Sequence, residues 1–205
     1  MNRIYTLIPY CHEDEGIPVI NEPECIDPVT NKPKVRVPVQ GYDLGAAYNR
    51  CMAVVPDGDW ACFLDHDAWF TTKGWHRQIE AAIAEKPDAG MFTGRCNNLN
   101  PDRSAWQMLG PVDAPVSAYR EIGREIQHAF GTSLRDITDE EDRGGDPVSG
   151  FCMIIPKAVW TEIGCSAHGF RSRDHKIHKA IAATGRRIYL IEGLYLYHLW
   201  DYDEK

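Results

Sequence analysis

The run Trp60-Ala61-Cys62-Phe63-Leu64 is five apolar residues with no polar break. A strand with one face in water alternates apolar and polar side chains, whereas an unbroken run marks a strand covered on both faces. A chain that contains it must supply a packing layer on each side of a sheet. The flanking sequence supplies them. Leu44, Ala47, Tyr48, Cys51, Met52 and Val55 recur every three or four residues behind Asp43, a side chain suited to capping a helix. Downstream, Trp75, Ile79, Ala82 and Ile83 form a second stripe in a capped helix that closes before Pro87. "RIYTLIPY" (3–10) reads as a buried first strand and "AGMFTG" (89–94) as another. The alternation predicts an α/β fold: a single Rossmann-like α/β/α sandwich with a mostly parallel central sheet.

The remaining segments are less regular. Residues 11–40 are rich in proline and charge and read as loop, except "KVRVPVQ" (34–40), a short strand that Pro38 places near an edge. Residues 95–114 are irregular. Residues 115–130 carry Val116, Tyr119, Ile122, Ile126 and Phe130 on one helical face. Residues 134–147, charged and glycine-containing, predict a mobile loop. "SGFCMIIP" (149–156) is a strand, "KAVWTEIG" a short helix, and "RDHKIHKAIAATG" a helix stopped by Gly185. "RIYLI" and "LYLYHLW" read as two last strands.

The formal charge of −8 and the lack of any Lys/Arg-rich run argue against binding duplex nucleic acid, where phosphate neutralisation dominates affinity. No run of ~18 apolar residues exists, so no membrane span is expected. The seven cysteines include no Cys-x-x-Cys pair and sit mostly in apolar contexts, as reduced core residues of a cytoplasmic protein do. Cys11, His12 and Cys25 lack the fourth ligand of a zinc site.

Asp-x-Asp occurs three times. Asp57 and Asp59 belong to a Pro/Gly turn, and Asp201 and Asp203 to a polar tail. Asp65 and Asp67 differ, because they follow directly on the buried strand, and ligands of open α/β sheets bind beyond the carboxyl ends of strands. Carboxylates placed there suit a hard divalent ion, Mg²⁺ or Mn²⁺, whose shell a diphosphate completes. His66 between them points to the opposite face if strand geometry continues. His175 and His178 have the i, i+3 spacing of a helical metal pair, but Lys176 and Lys179 beside them read as a solvated face.

The stretch "GYDLGAAYNRCMAVVPDGDWACFLDHDAWFTTKGWHRQI" resembles the centre of a family 2-like glycosyltransferase of the GT-A fold: a helix containing Asn49, a "GDW" turn, a hydrophobic strand, Asp-x-Asp, then a Gly-Trp helix start. "SGFCMIIPKAVWTEIG" and "RDHKIHKAIAATGRRIYLIEGLYLYHLW" are similar to the family's later strand–helix unit and its acidic helix, "G-x-R-I" strand and closing histidine. The resemblance covers about residues 1–10 and 41–200.

It implies a metal-dependent, inverting transfer of a sugar from a nucleoside-diphosphate sugar, a UDP-sugar foremost, to a glycan, lipid-linked or other hydroxyl acceptor. Residues 1–94 would form the nucleotide-sugar half and 95–205 the acceptor half. Asp65 would contact the ribose or the metal, Asp67 the metal, and His198 would be the third metal ligand. Pro9 and Tyr10 would line the base pocket. Asp174 would be the catalytic base, although Arg173 stands where the family has a Glu before it. Loop residues around Trp106 would offer acceptor contacts. Two other classes remain: a nucleotidyltransferase, disfavoured by the acidic "PYCHEDEGIP" where a basic Gly-rich loop is expected, and a non-catalytic sugar-nucleotide or glycan-binding module.

Overall fold

The computed structural model describes residues 3–11, 35–39, 43–72, 74–99, 105–139, 148–164 and 173–199. These build one eight-stranded sheet from β1 (Ile4–Cys11), β2 (Val35–Val39), β3 (Trp60–Leu64), β4 (Ala68–Phe70), β5 (Met91–Cys96), β6 (Leu134–Asp136), β7 (Cys152–Pro156) and β8 (Ile188–His198). The order is β2-β1-β3-β7-β5-β8-β4, with β6 also on β8. β1, β2, β3, β5 and β8 run one way; β4, β6 and β7 run against them. β2 closes one edge, which suits Pro38, a residue with no N–H to donate.

Every residue of β3 is buried. Its side chains alternate between two cores. Trp60, Cys62 and Leu64 face a layer that includes Trp75, Ile79 and Ala82 of α2 (Trp75–Glu85). Ala61 and Phe63 face α1 (Leu44–Ala53), α4 (Lys157–Glu162) and α5 (Arg173–Ala183). Phe63 lies with its ring 4.8 Å from that of Tyr48 and 5.2 Å from that of Trp160. Burial of each such side chain contributes about 1.5–3 kcal/mol. α1 begins as the sequence requires: Asp43 Oδ1 accepts the Ala46 N–H at 2.9 Å. A third cluster joins α3 (Tyr119–Phe130) to Trp69, Tyr195 and Tyr197 near the ends of β4 and β8.

Several expectations are corrected. The last two strands are one, β8. Its register to β5 jumps between Thr93↔Leu190 and Arg95↔Tyr195, so residues 191–194 stand opposite the single residue Gly94 while the strand continues. A Cβ at Gly193 would lie 2.0 Å from the Gly131 carbonyl oxygen, so this glycine permits close approach and does not end the strand. Leu134–Asp136, expected as loop, pairs with β8; residues 140–147 lie outside the described residues. Val116 and Phe130 are exposed, Val116 in a 3-10 turn ahead of the helix and Phe130 at its last position, and the helix core is Tyr119, Gly123 and Ile126. α2 has Gly74 at its N-cap and no side-chain cap bond. His178 is buried, not solvated: it accepts the Val148 N–H at Nδ1 and bonds the Thr138 carbonyl at Nε2. Those two backbone groups satisfy its polar atoms despite the flanking lysines. Cys51, Cys62, Cys96 and Cys152 are buried free thiols, and burial pushes Cys51 up to about 12. Cys25, Cys165, His12, Trp200 and the Asp201/Asp203 pair lie outside the described residues.

Candidate metal centre

Strand β3 stops at Leu64 because the chain turns. The Ala68 N–H donates to the Asp65 carbonyl at 3.1 Å, closing a β-turn over Asp65–Ala68 that leads into β4. Strand alternation therefore does not govern His66, contrary to the sequence expectation. The Asp65 N–H donates to the Phe151 carbonyl at 3.0 Å, which fixes the turn against the residues entering β7. β4 then pairs antiparallel with the end of β8, Ala68 opposite His198, and the Leu199 N–H donates to the Asp67 carbonyl. This pairing carries His198 to Asp67 across 131 residues of sequence.

Asp65, Asp67 and His198 each offer one ligand atom, and the three atoms lie within 4.8 Å of one another. His198 Nε2 is 3.4 Å from Asp67 Oδ1 and 3.8 Å from Asp65 Oδ2. His198 is 2% exposed and is held by the residues after β5 at its backbone and at its ring. Asn97 Oδ1 accepts the His198 N–H at 2.7 Å, and His198 Nδ1 lies 2.9 Å from the Asn98 carbonyl oxygen. A carbonyl only accepts, so Nδ1 carries the proton. In the neutral ring, Nε2 then presents a bare lone pair to two carboxylates. Three electron-rich atoms face one another, and a proton or a cation must stand between them. An imidazole whose other nitrogen donates to a backbone carbonyl is the usual arrangement of a metal-bound histidine. The oxygen–oxygen–nitrogen set fits Mn²⁺ well and Mg²⁺ through its carboxylates.

Electrostatics agree. Burial raises Asp65; His198 pulls it down and the Asp67 charge pushes it up, leaving it at about 6. Burial would raise Asp67 too, but the His198 hydrogen bond and charge hold it below the usual range. Burial would lower His198, yet the hydrogen bond and charge of Asp67 with the charge of Asp65 leave it raised. The site attracts positive charge.

The other expected residues lie around this corner. Continuing the β1–β3 register from Leu7↔Phe63 brings Pro9 level with Asp65, at the same end of the sheet; the side chains of Pro9 and Tyr10 lie outside what the structure describes. Asp174, in the first turn of α5, is not in the triad. Its Oδ2 accepts the Gly150 N–H at 3.1 Å and its Oδ1 the His175 N–H at 2.9 Å. Its charge nonetheless reaches Asp65 and Tyr48, raising both. A methyl at Gly150 would stand 3.6 Å from Asp174 Oδ2 and 3.7 Å from the Tyr48 hydroxyl, so these two oxygens border one small space. Asn49 is committed to the fold, accepting the Trp160 indole N–H at 3.1 Å. Trp106 is half-buried against the core, with the Arg135 guanidinium 5.3 Å from its ring centre. Sequence reasoning missed Asn97 and Asn98. Their signal is the polar pair "NN" placed immediately after a buried strand, at the ligand-binding end of the sheet.

No family model matches the chain, and no curated protein matches it by sequence. Solved structures do match. Residues 1–349 of TarS from S. aureus superpose with a TM-score of 0.56 at 11% identity, over 96% of this chain and 60% of that one. GalNAc-T7, solved with UDP, GalNAc and Mn²⁺, superposes with a TM-score of 0.60 at 10% identity, over 99% of this chain and 45% of that one. The chain thus spans about half the length of the structures it matches. Across so low an identity the likeness is one of fold: a GT-A-type α/β/α sandwich.

Proposed function

We propose that the chain is a divalent-metal-dependent glycosyltransferase that moves a hexosyl group from a nucleoside-diphosphate sugar to a hydroxyl acceptor. The carrying observation is the convergence of Asp65, Asp67 and His198 Nε2, with the imidazole held at Nδ1 by the Asn98 carbonyl. The UDP, GalNAc and Mn²⁺ in the GalNAc-T7 structure support a UDP-sugar donor and the choice of Mn²⁺ over Mg²⁺.

Asp65, Asp67 and His198 would hold the ion. Bound there, it supplies Lewis-acid neutralisation of the charge that builds on a departing diphosphate. Asp65, at the turn into β4, would also accept a ribose hydroxyl at its second oxygen. Pro9 and Tyr10, at the end of β1, would flank the base. Asp174 accepts the proton of the acceptor hydroxyl as its oxygen bonds the anomeric carbon and the bond to the diphosphate breaks; one displacement inverts that carbon. Gly150 N–H orients the Asp174 carboxylate while leaving it lone pairs for the proton. The donor side is built mainly from residues before Gly94, and His198 and Asp174 come from the later half.

A panel of nucleotide sugars with and without Mn²⁺ tests this. A ligand of the native state raises stability by RT ln(1 + [L]/Kd), about 2.7 kcal/mol at 100 times Kd. A UDP-sugar is expected to raise Tm only with the metal present, and to release UDP on incubation with an acceptor hydroxyl. No stabilisation by any nucleotide sugar would rule the reading out.

A further inference from the structure

Four consecutive residues entering β7 are each tied to a different group. The Val148 N–H donates to His178 Nδ1 at 3.3 Å, the Ser149 N–H to Gln107 Oε1 at 2.8 Å, and the Gly150 N–H to Asp174 Oδ2 at 3.1 Å. The Phe151 carbonyl takes the Asp65 N–H at 3.0 Å, and the Phe151 ring lies 5.7 Å from the His198 ring. This short segment touches Asp65, Asp174 and His198 together.

Gln107 is the unexpected member. It belongs to a 3-10 turn, Ala105–Gln107, outside the sheet, yet it has no exposed surface. Its amide is fully engaged: Nε2 donates to Thr93 Oγ1 at 3.1 Å and to the Gly94 carbonyl at 3.3 Å. The chemistry fixes its orientation, since Ser149 N–H only donates and the Gly94 carbonyl only accepts. Thr93 Oγ1 in turn donates to the Cys152 carbonyl at 2.8 Å. Gln107 and Thr93 therefore grip the segment at Ser149 and Cys152, on either side of the two residues that hold Asp174 and Asp65. A methionine would fill the same volume without the cost of burying an amide, so core packing alone does not call for glutamine here.

We infer that Gln107 is a positioning residue: it fixes Ser149–Phe151 so that the Gly150 N–H aims the Asp174 carboxylate at a set distance from the Asp65 turn. This rests on the reading of Asp174 as the base. Two reacting groups held on separate elements lose rate steeply when their spacing slips, by about 100-fold for 1 Å.

The test uses the full chain. Gln107→Met keeps volume and removes the bonds; Thr93→Val is the milder companion should the first fail to fold. UDP release from UDP-GalNAc and UDP-glucose in excess Mn²⁺, with water as acceptor, gives kcat and KM, and amide exchange by NMR reports on the Gly150 N–H. For Gln107→Met, kcat is expected to fall roughly 10- to 100-fold with donor KM within about threefold. Gly150 exchange should quicken at least about tenfold, while that of Ile154 in β7 holds. In an Asp174→Asn background the same change should lower kcat no more than about twofold, because its effect runs through Asp174. Additive losses, or a lower Tm with kcat unchanged, would overturn the inference. If Asp174→Asn alone keeps full turnover, the base assignment falls instead. Gly150 exchange then decides: quickening in Gln107→Met upholds the positioning of Asp174, and unchanged exchange overturns it.

Discussion

At the amino ends of β5 and β8 lies a groove of about 510 Å³ lined by three acids, Glu85, Asp88 and Glu162, and three bases, Lys86, Arg186 and Arg187. There the charges answer one another. Arg186 Nε is 2.8 Å from Glu162, Arg187 pairs outward with Asp136 at 2.7 Å, and Lys86 lies 5.9 Å from the centre of the Tyr189 ring. The opposite end of the sheet is built differently. Two carboxylates converge on Nε2 of a buried imidazole whose Nδ1 is held by the Asn98 carbonyl. Charges that cancel need no ligand; acids that converge on an imidazole nitrogen leave a place that a proton or a cation fills. Both ends carry charge. Mutual satisfaction separates them.

The strongest way to sharpen the contrast is chemical. Asp174→Asn is expected to lower kcat on the order of 10²–10⁴-fold while donor affinity stays within about threefold, since a base acts in the transition state. Single-turnover measurements with the donor found in the panel check this, and turnover within a few-fold of wild type would move the base elsewhere.

Next come the ligands. Losing an outer partner of a metal-bound group typically weakens the metal about 10–100-fold. Asp67→Ala and His198→Ala should each reach or pass the upper end of that range for Mn²⁺-dependent UDP binding by calorimetry. Asn97→Ala, which loosens the strand backbone behind His198, should fall near its lower end. Equal affinities across the three would break the distinction between ligand and support.

A smaller effect concerns pH. Asp65 and His198 are both raised in the folded protein. Their stabilising contribution is complete below their unfolded values, about 4 and about 6.5, and is lost as pH rises through the folded ones. Asp67 is lowered, so its contribution is present above about 4 and is lost only as pH falls through its folded value. Between pH about 5.5 and about 7.5 the metal-free site therefore becomes less stabilising. The rise in Tm given by excess Mn²⁺ should be larger at the higher pH, where no proton on Asp65 must be displaced. Scanning calorimetry of wild type beside Asp65→Asn isolates the site, and a metal effect that shrinks with pH would count against it.

The smallest change is expected at the other end of the sheet. Arg186→Ala should alter stability by about 0–1 kcal/mol, as exposed ion pairs do, and leave UDP–Mn²⁺ affinity unchanged. A marked loss of nucleotide binding would mean that the groove takes part in it.

Much of this architecture is written locally. "WACFL" announces a strand covered on both faces because five apolar side chains leave no side for water, and Asp43 announces a helix start because its oxygen meets the Ala46 N–H. Even the face of His198 follows from alternation in "LYLYHLW". What could not be read are the contacts made far along the chain. Gly193 looks like a strand break, yet its lack of a side chain answers to the Gly131 carbonyl. His178 looks solvated between two lysines, yet Val148 and Thr138 hold it inside. Asn97, Asn98 and Gln107 belong to no periodic pattern; the asparagines hold His198 from 101 and 100 residues away, and Gln107 holds Ser149 from 42. Local periodicity specifies elements, whereas the geometry of the site is set by which element ends the sheet brings together.

The central claim is that Asp65, Asp67 and His198 bind one divalent ion. Electron spin-echo spectroscopy of Mn²⁺ with UDP bound to the protein tests it most directly, since a nitrogen ligand imprints a ¹⁴N modulation on the metal's signal. The expected result is a ¹⁴N modulation in the wild-type protein that disappears in His198→Gln, with Mn²⁺ binding weakened but the fold intact. Bound Mn²⁺ with no ¹⁴N modulation, or a modulation that survives the loss of His198, would contradict the site.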